Sequence, residues 1–371
     1  MRENLSLNVL TENISEHRQV NKIEHSLENI IFITISGVIS GAEHWDEIED
    51  FGKTKKKWLS KYIDLKNGIP SHDTISRFFQ VMDPKEFQKA FTIWTSEITN
   101  NLGRDYIAID GKTLRRTHDS KNGKSAIHMV SAWSNLNDLV LGQLKTAEKS
   151  NEITAIPQLI KTIDIENSIV TIDAMGTQKN IAETIIEKEG DYILQVKGNQ
   201  PTLESDIMNY FKANKNNNEV NFYIQESDKK EHGRVEERKY YITENLDSIT
   251  QKEEWTGLKS IGMIESKSEI DGKVSCATKY FISSTNDDVK KFANATRQHW
   301  GIEIKLHWRL DVIFNEDLSR IRKDYSAENF AVIKHIALAM LMKNKSLKMG
   351  TARKRLKCAL CDEYRESVLK I

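Results

Sequence analysis

The sequence predicts an α/β protein in which a sheet is layered with helices on both faces. Short β-branched runs alternate with segments of helical periodicity from Tyr106 to a helix that begins near Pro201, and this alternation is typical of such sheets. An antiparallel hairpin is predicted near the start of this region, because two apolar runs flank the turn at Asn135–Asp138. Residues 1–100 show only helical spacing of their apolar side chains, so we expect an all-helical domain before the sheet.

The individual elements follow from the same patterns. The apolar run Asn29–Glu43 predicts a buried helix, and Ser71 or Asp73 is placed to cap a later one. Further helices are predicted within residues 44–64 and 83–99. The sheet is predicted to contain strands at Tyr106–Asp110, Ala126–Trp133, Leu139–Ala147, Ser168–Asp173 and Asp191–Lys197, with helices at Glu152–Ile163 and Lys179–Glu189.

A second group of strands is predicted after the polar bridge Asn214–Glu219. Its four apolar runs lie within residues 220–228, 234–243, 260–266 and 274–283. Helical periodicity returns from Asp287 to Trp308 and again from Ala327 to Met342. We therefore expect a helical domain (1–100), the first part of the sheet core (101–219), a β-rich insertion (220–285), the final part of the core (286–345) and a basic tail (346–371).

The composition restricts the class of protein. The 371 residues include 54 basic and 54 acidic side chains, and a net charge of zero argues against a wholly basic DNA-coating protein. Three cysteines cannot make a disulfide framework and favour a reducing compartment. The longest apolar run, residues 29–43, is too short to span a membrane, so a cytoplasmic protein is expected.

Two basic segments are candidates for DNA contact. Residues 53–61 carry five lysines, and residues 343–357 carry seven basic side chains without an acid. Such segments can release counterions from DNA phosphates, but a solvated surface explains them equally well. The Cys358-x-x-Cys361 pair stands without a second pair or nearby histidines, which makes a zinc or redox role a weak alternative.

Two aspartates stand where an α/β sheet places its chemistry. Asp110 and Asp173 each close a predicted apolar strand and are followed by small residues, and the carboxyl ends of such strands form the usual ligand-binding edge. Two carboxylates there repel each other unless a cation lies between them, and Mg²⁺ or Mn²⁺ suits such oxygen ligands. Each aspartate alone is also explained as the cap of a turn.

A third acid lies on the helix predicted near residue 303. Ile302, Leu306 and Leu310 form its apolar stripe, and Glu303 borders that stripe. Three carboxylates around two metal ions are used for in-line phosphoryl transfer. A rival interpretation is a zinc site, because His299, Glu303 and His307 repeat every four residues on one face.

Five ordered motifs give the chain a family resemblance. They are Ala108–Arg116, Val170–Ala182, Tyr192–Leu203, His232–Arg238 and His299–Arg322, and the segments Ser36–Gly52 and Asn67–Phe79 add to them. With these motifs the chain resembles a DDE transposase of the IS4-like superfamily, specifically the ISAs1 family, which includes the H-repeat-associated proteins. The resemblance covers nearly the whole chain.

The resemblance implies an RNase H-like catalytic core that the β-rich insertion interrupts before the last acid. It implies that Asp110, Asp173 and Glu303 are catalytic and hold two Mg²⁺ or Mn²⁺ ions. The implied activity is cleavage and strand transfer at insertion-sequence ends. The implied partners are double-stranded DNA, as transposon ends and target, and a second copy of the chain in a homodimeric synaptic complex at the bacterial nucleoid.

The chain departs from the related IS4 pattern around the last acid. That pattern has a Tyr and an Arg before the acid and a Lys after it, whereas Thr296, His299 and Leu310 stand here. The accompanying roles are then open to Arg297, His299, Lys305 or Arg309.

Cations and aromatics near the motifs are candidates for DNA contact, although each is also explained as an ordinary surface or packing residue. Trp300 and Trp308 flank Glu303 and could stack on a base, but packing in the core is the commoner role for tryptophan. The candidate DNA-binding residues are Lys112, Arg115, Arg116, Lys197, His232, Arg234, Arg297, His299, Trp300 and Lys305.

Two further functions remain alternatives to a transposase. One is a transposase-derived protein that binds DNA but no longer cuts it. The other is a stand-alone RNase H-like nuclease, which shares the acids but has no need of the leading helical domain.

Overall fold

The computed structural model describes residues 7–19, 21, 23–99, 104–118, 123, 125–146, 152–227, 234–270, 273–286 and 288–370. It confirms a mixed α/β protein with helices and a large sheet. The chain forms two compact units. The first comprises Met1–Asn101, Gly111–Lys149 and Glu303–Ile371, and the second comprises Leu102–Asp110 and Ser150–Ile302. The predicted division into five segments stays a prediction.

The elements are numbered in chain order. The helices are α1 (Asn8–Glu12), α2 (Leu27–Ile39), α3 (Trp45–Thr54), α4 (Lys56–Leu59), α5 (His72–Val81), α6 (Pro84–Ile98), α7 (Glu152–Thr162), α8 (Lys179–Glu187), α9 (Pro201–Asn214), α10 (Val289–Gly301), α11 (Trp308–Ile313), α12 (Ser326–Lys343), α13 (Thr351–Leu360) and α14 (Asp362–Leu369). The strands are β1 (Tyr106–Leu114), β2 (Ile127–Ser134), β3 (Leu139–Lys145), β4 (Ile169–Ile172), β5 (Asp191–Val196), β6 (Asn221–Ser227), β7 (Arg234–Thr243), β8 (Ser260–Ile270) and β9 (Lys273–Ser283). None of the described helices combines the length and the apolar character needed to cross a membrane.

Helix α12 is the central helix of the first unit. Every residue from Ser326 to Met342 is buried, which requires packing partners on all sides of the helix. Those partners are α2, α5, α6 and strand β3 of the β2–β3 hairpin. Helix α5 begins where the sequence predicted, because the Ser71 side chain accepts a hydrogen bond from the backbone N–H of Thr74.

Two helical predictions change in the structure, and a third segment divides into shorter helices. Residues 44–64, predicted as helical, contain α3, which ends at Thr54, and α4, which is a separate turn after Lys55. The C-terminal segment, expected as a basic tail, folds into α13 and α14, in which Lys354, Arg355 and Arg365 are buried. The helix expected from residue 287 to 308 is interrupted by a π-helical segment at Ile302–His307.

The sheet of the second unit has the strand order β1-β4-β5-β9-β8-β7-β6. Strands β1, β4 and β5 are parallel, whereas β9 pairs with β5 in the antiparallel sense. The four strands predicted between residues 220 and 284 are confirmed as β6–β9. Because β9 is hydrogen-bonded to β5, these strands continue the sheet of the parallel strands.

Helices cover both faces of this sheet, as predicted. Tyr240 contacts Phe292 of α10, while the next residue, Tyr241, contacts Phe211 of α9. Successive side chains of a strand point to opposite faces, so α10 and α9 lie on opposite faces. Gly262 lets α10 come close, because a Cβ atom at this position would lie 2.6 Å from the Phe292 ring.

Candidate active site

Asp110 and Asp173 occupy neighbouring positions on parallel strands. Ile109 of β1 pairs with Ile172 of β4, so the next residue on each strand is one of the two aspartates. Paired strands lie about 4.8 Å apart, which brings the two carboxylates to one edge of the sheet. The predicted end of the first strand at Asp110 is wrong, because β1 continues to Leu114, whereas Asp173 does follow the last residue of β4.

A tight turn fixes the Asp173 carboxylate. Its Oδ1 accepts hydrogen bonds from the backbone N–H groups of Met175 and Gly176, at 3.1 and 3.3 Å. Residue 176 must be glycine for this turn to close, because a Cβ atom there would lie 2.2 Å from Cγ2 of Ile172. Within the described part of the chain no group donates to Oδ2. Asp173 therefore caps this turn through Oδ1 alone.

His299 of α10 lies beside Asp173. Its Nδ1 is 3.0 Å from the hydroxyl oxygen of Thr171, two residues before that aspartate. Burial lowers the pKa of His299, against the Asp173 carboxylate, which raises it. His299 is therefore a neutral ring at pH 7 that braces α10 against β4, rather than a cation for a phosphate.

Glu303 lies in the π-helical segment Ile302–His307 and begins the last chain segment of the first unit, Glu303–Ile371. Its side chain is 58% exposed, and its Oε2 is 3.2 Å from Nδ1 of His307. The predicted stripe of Ile302, Leu306 and Leu310 is confirmed as buried. Segments of π-helix inside α-helices are frequent at functional sites. In this segment the exposed carboxylate of Glu303 lies beside a stripe of buried apolar side chains.

Lys112 is held by acids of the first unit. Its Nζ forms ion pairs with Asp311 and, at 2.6 Å, with Glu316, and Asp317 lies 4.0 Å away. Burial acts to lower the pKa of Lys112, but Glu316 and Asp311 outweigh it and raise the pKa. Asp311 and Glu316, two further acids that lie near Glu303 in the sequence, are thus engaged by a lysine.

The other candidate DNA contacts differ in how far acids neutralise them. Lys305 donates to Asp138 at 2.7 Å, and Arg115 lies 3.3 Å from Asp317. A guanidinium nitrogen of Arg297 lies 3.8 Å from Glu236. Arg116 and Lys197 are exposed. His232 and the side chain of Arg234 lie outside the described residues.

The two tryptophans that flank Glu303 in the sequence are not core residues. Trp300 is 49% exposed and Trp308 is 55% exposed. The ammonium of Lys279 lies 5.2 Å from the centre of the Trp300 ring. Packing in the core therefore does not explain these two tryptophans, because about half of each residue is exposed. Lys279, which contacts Trp300, has no motif in the sequence that would single it out.

The two basic segments are partly neutralised inside the first unit. In the first segment, Lys53 pairs with Glu49, Lys55 with Asp362 and Lys61 with Glu366, at 2.7 to 3.6 Å. In the second segment, Lys354 and Arg355 are buried. Burial also raises the pKa of Cys358 to about 12, so this thiol is protonated at neutral pH.

Comparisons with known proteins identify the family of the chain. The family model described as "Transposase DDE domain" matches residues 101–340, and the model described as "DDE_Tnp_1-associated" matches residues 10–95. The H repeat-associated putative transposase YhhI of Escherichia coli K12 is 43% identical over 98% of both chains. The putative transposase YncI of Escherichia coli O157:H7 is 45% identical over 96% of this chain and 92% of its own length.

Among solved structures, the chain is similar to the piggyBac transposase in a cryo-EM structure of its synaptic complex with hairpin DNA. That match has 10% identity and a TM-score of 0.46, and it covers 100% of this chain and 83% of the other. The family matches span more than half of the chain, and the relatives match it nearly end to end. The chain therefore belongs to the DDE transposase family, among the relatives of the H repeat-associated transposases.

Proposed function

We propose that this chain is a DNA transposase that cuts the ends of an insertion sequence and joins them to target DNA. The observation that carries the proposal is the strand register that makes Asp110 and Asp173 neighbours. Two adjacent carboxylates at a sheet edge repel each other unless a cation compensates them. An exposed glutamate on the helix that follows the sheet supplies a third oxygen ligand.

The donor set fits two Mg²⁺ or Mn²⁺ ions held by Asp110, Asp173 and Glu303. All three are hard oxygen ligands, which these ions prefer over nitrogen and sulfur. When bound, such ions stabilise the charge that develops on the attacking and leaving oxygens of a phosphodiester.

The protein's own residues contribute positioning. The turn at Met175 and Gly176 fixes Oδ1 of Asp173 and leaves Oδ2 for a cation. His299, neutral and bonded to Thr171, places no positive charge of its own beside the metal ligands. In the proposed reaction a water oxygen attacks the phosphorus at the element's end and the 3′-oxygen leaves. The freed 3′-hydroxyl then attacks a target phosphodiester in line, so that its oxygen bonds to the target phosphorus and the target's own 3′-oxygen leaves as a new 3′-hydroxyl.

The proposed partners are double-stranded DNA and a second copy of the chain. Transposition joins two element ends, so we propose a homodimer that forms a synaptic complex in the bacterial cytoplasm, at the nucleoid. Of the candidate cations, Arg116 and Lys197 are exposed and fit a phosphate contact better than Lys112, which three acids surround.

The test is cleavage of a labelled element-end duplex by purified protein with Mg²⁺, beside Asp110→Ala, Asp173→Ala and Glu303→Ala. Each substitution should abolish cleavage while DNA binding persists. The exposed Asp247→Ala is the matched control and should cut like the wild type. If Glu303→Ala still cleaves the duplex, the third metal ligand must be another acid.

Other outcomes would support the alternatives. Binding without cleavage by the wild type would favour the non-cutting DNA-binding protein. Cleavage without strand transfer would favour the stand-alone nuclease. After chelation, activity that only Zn²⁺ restores would favour the rival site at His299 and His307.

A further inference from the structure

A group of cations stands beside the two aspartates on the same face of the sheet. In the second unit, Val196 of β5 pairs with Tyr280 of β9. Lys197 and Lys279 are the next residues in that register, so they face each other across the two strands. On β7, Arg238 lies two residues before Tyr240. Tyr240 pairs with Ile264 of β8, and Ile264 pairs with Lys279. The side chains of Arg238 and Lys279 therefore point to the same face of the sheet.

This face is the one that α10 covers. Phe281, two residues after Lys279, contacts Phe292 of α10. Side chains two residues apart on a strand share a face, so Lys279 continues that row toward the C-terminal end of α10, where its ammonium meets the ring of Trp300. Two strands away, the side chains of Thr171 and Asp173 lie on this same face at the end of β4. The hydroxyl of Thr171 is hydrogen-bonded to His299, which also belongs to α10.

The cations of this group repel one another. Burial lowers the pKa of Lys279, and the charges of Lys197 and Arg238 lower it further. Arg238 has an acidic partner, because it donates to Glu236 at 2.8 Å. Among the described residues, Lys279 and Lys197 have no carboxylate within 4.0 Å. A bound anion would remove this repulsion.

We propose that Lys279, with Lys197 and Arg238, binds a backbone phosphate of the DNA strand that is cut, and that Trp300 holds the Lys279 ammonium in place. This inference rests on the proposed function, since it takes the aspartate edge as the cleavage site. From β4 to β9 there are two strand spacings, or roughly 10 Å. The bound phosphate therefore lies within a few nucleotides of the scissile one.

The test measures binding of the end duplex by fluorescence anisotropy in EDTA at several salt concentrations. Lys279→Met should lower the slope of log K against log salt by about one, the value for one lost phosphate contact. Lys279→Arg should restore most of it, because the charge returns. Lys267→Met is the matched control, because Lys267 is an exposed lysine of β8 whose side chain points to the other face. The control should keep the wild-type slope.

A second arm locates the phosphate. Neutral methylphosphonates are placed singly at successive positions beside the cleavage site. One substitution, within a few nucleotides of the cleavage site, should weaken binding by the wild type but not by Lys279→Met. Circular dichroism and urea unfolding verify that each variant is folded.

The outcomes separate the inference from the proposed function. If folded Lys279→Met keeps the wild-type slope and the wild type cleaves the duplex, the phosphate site is wrong and the proposed transposase function is retained. A reduced slope with no cleavage by the wild type would keep the phosphate site and remove the catalytic proposal. No binding of any duplex by the wild type would overturn both.

Discussion

Arg355 is the cation whose removal should cost the first unit most stability. It is buried, and its guanidinium donates to the carbonyl oxygens of Val38 and Ala42 at 3.0 and 3.2 Å, to the carbonyl oxygen of Ile313, and to Glu43 at 2.9 Å. Val38 and Ile313 lie in the last turns of α2 and α11, where the helix dipole favours a positive charge.

The magnitude follows from what Arg355→Met leaves behind. Three carbonyl groups lose a donor, at about 1 kcal/mol each. Glu43 loses its cation, although Asn315 still donates to both of its oxygens, at 2.9 and 2.8 Å. Because Asn315 keeps Glu43 partly compensated, the ion pair contributes less than its full value. We therefore expect a total loss of ~3–5 kcal/mol in the free energy of unfolding, as for a buried ion pair broken from one side.

Urea unfolding followed by tryptophan fluorescence measures this loss. Arg353→Met is the matched control, because it removes the same charge from the same helix at an exposed position, and it should change the stability by less than ~0.5 kcal/mol. A difference of less than ~1 kcal/mol between the two variants would refute the structural role of Arg355. If folded Arg355→Met lost more DNA affinity than Arg353→Met, the basic segment would act on DNA through Arg355 after all.

Three further substitutions test the site and its support. Gly176→Ala should destabilise the protein by ~1–3 kcal/mol and slow cleavage, because the Cβ of the alanine would clash with Ile172 beside the proposed metal-binding edge. Urea unfolding measures the loss of stability, and a cleavage time course measures the rate. Thr171→Val should cost about 1 kcal/mol of stability and reduce cleavage at saturating DNA, because the ring of His299 loses its hydroxyl partner. Burial lowers the pKa of His335 to about 4 from 6.5. Between these two pH values the unfolded chain binds more protons than the folded chain, so the free energy of unfolding should fall by up to ~3 kcal/mol as the pH drops through this window. His335→Gln should remove that part of the pH dependence of unfolding.

Local patterns predicted the features that depend on neighbouring residues. The apolar strands before Asp110 and Asp173, the four strands from 220 to 284 and the cap at Ser71 are confirmed because strand alternation and capping are local effects. The adjacency of the two aspartates needed only the rule that parallel strands share their carboxyl edge.

Features that depend on distant partners could not be predicted. Arg355 looks like any cation of a basic run, and its burial depends on helix ends more than 300 residues earlier in the chain. The π-helical segment at residues 302–307 gives no signal in the spacing of the apolar residues, which continues through it at four-residue intervals. Lys279 acquires its position from the pairing of β5 with β9, which requires the sheet order to be known first.

The balance of acids and bases in this neutral chain has a consequence for DNA binding. Lys112, Lys305 and Arg355 are ion-paired within the first unit, so releasing them to a phosphate would require breaking an ion pair. Among the described residues, Lys197 and Lys279 lack an acid within 4.0 Å, so a phosphate would add an interaction without removing one. Counterion release counts only phosphates that are newly neutralised. We therefore infer that unpaired cations such as Lys197 and Lys279, rather than the ion-paired ones among the 54 basic residues, determine the salt dependence of binding.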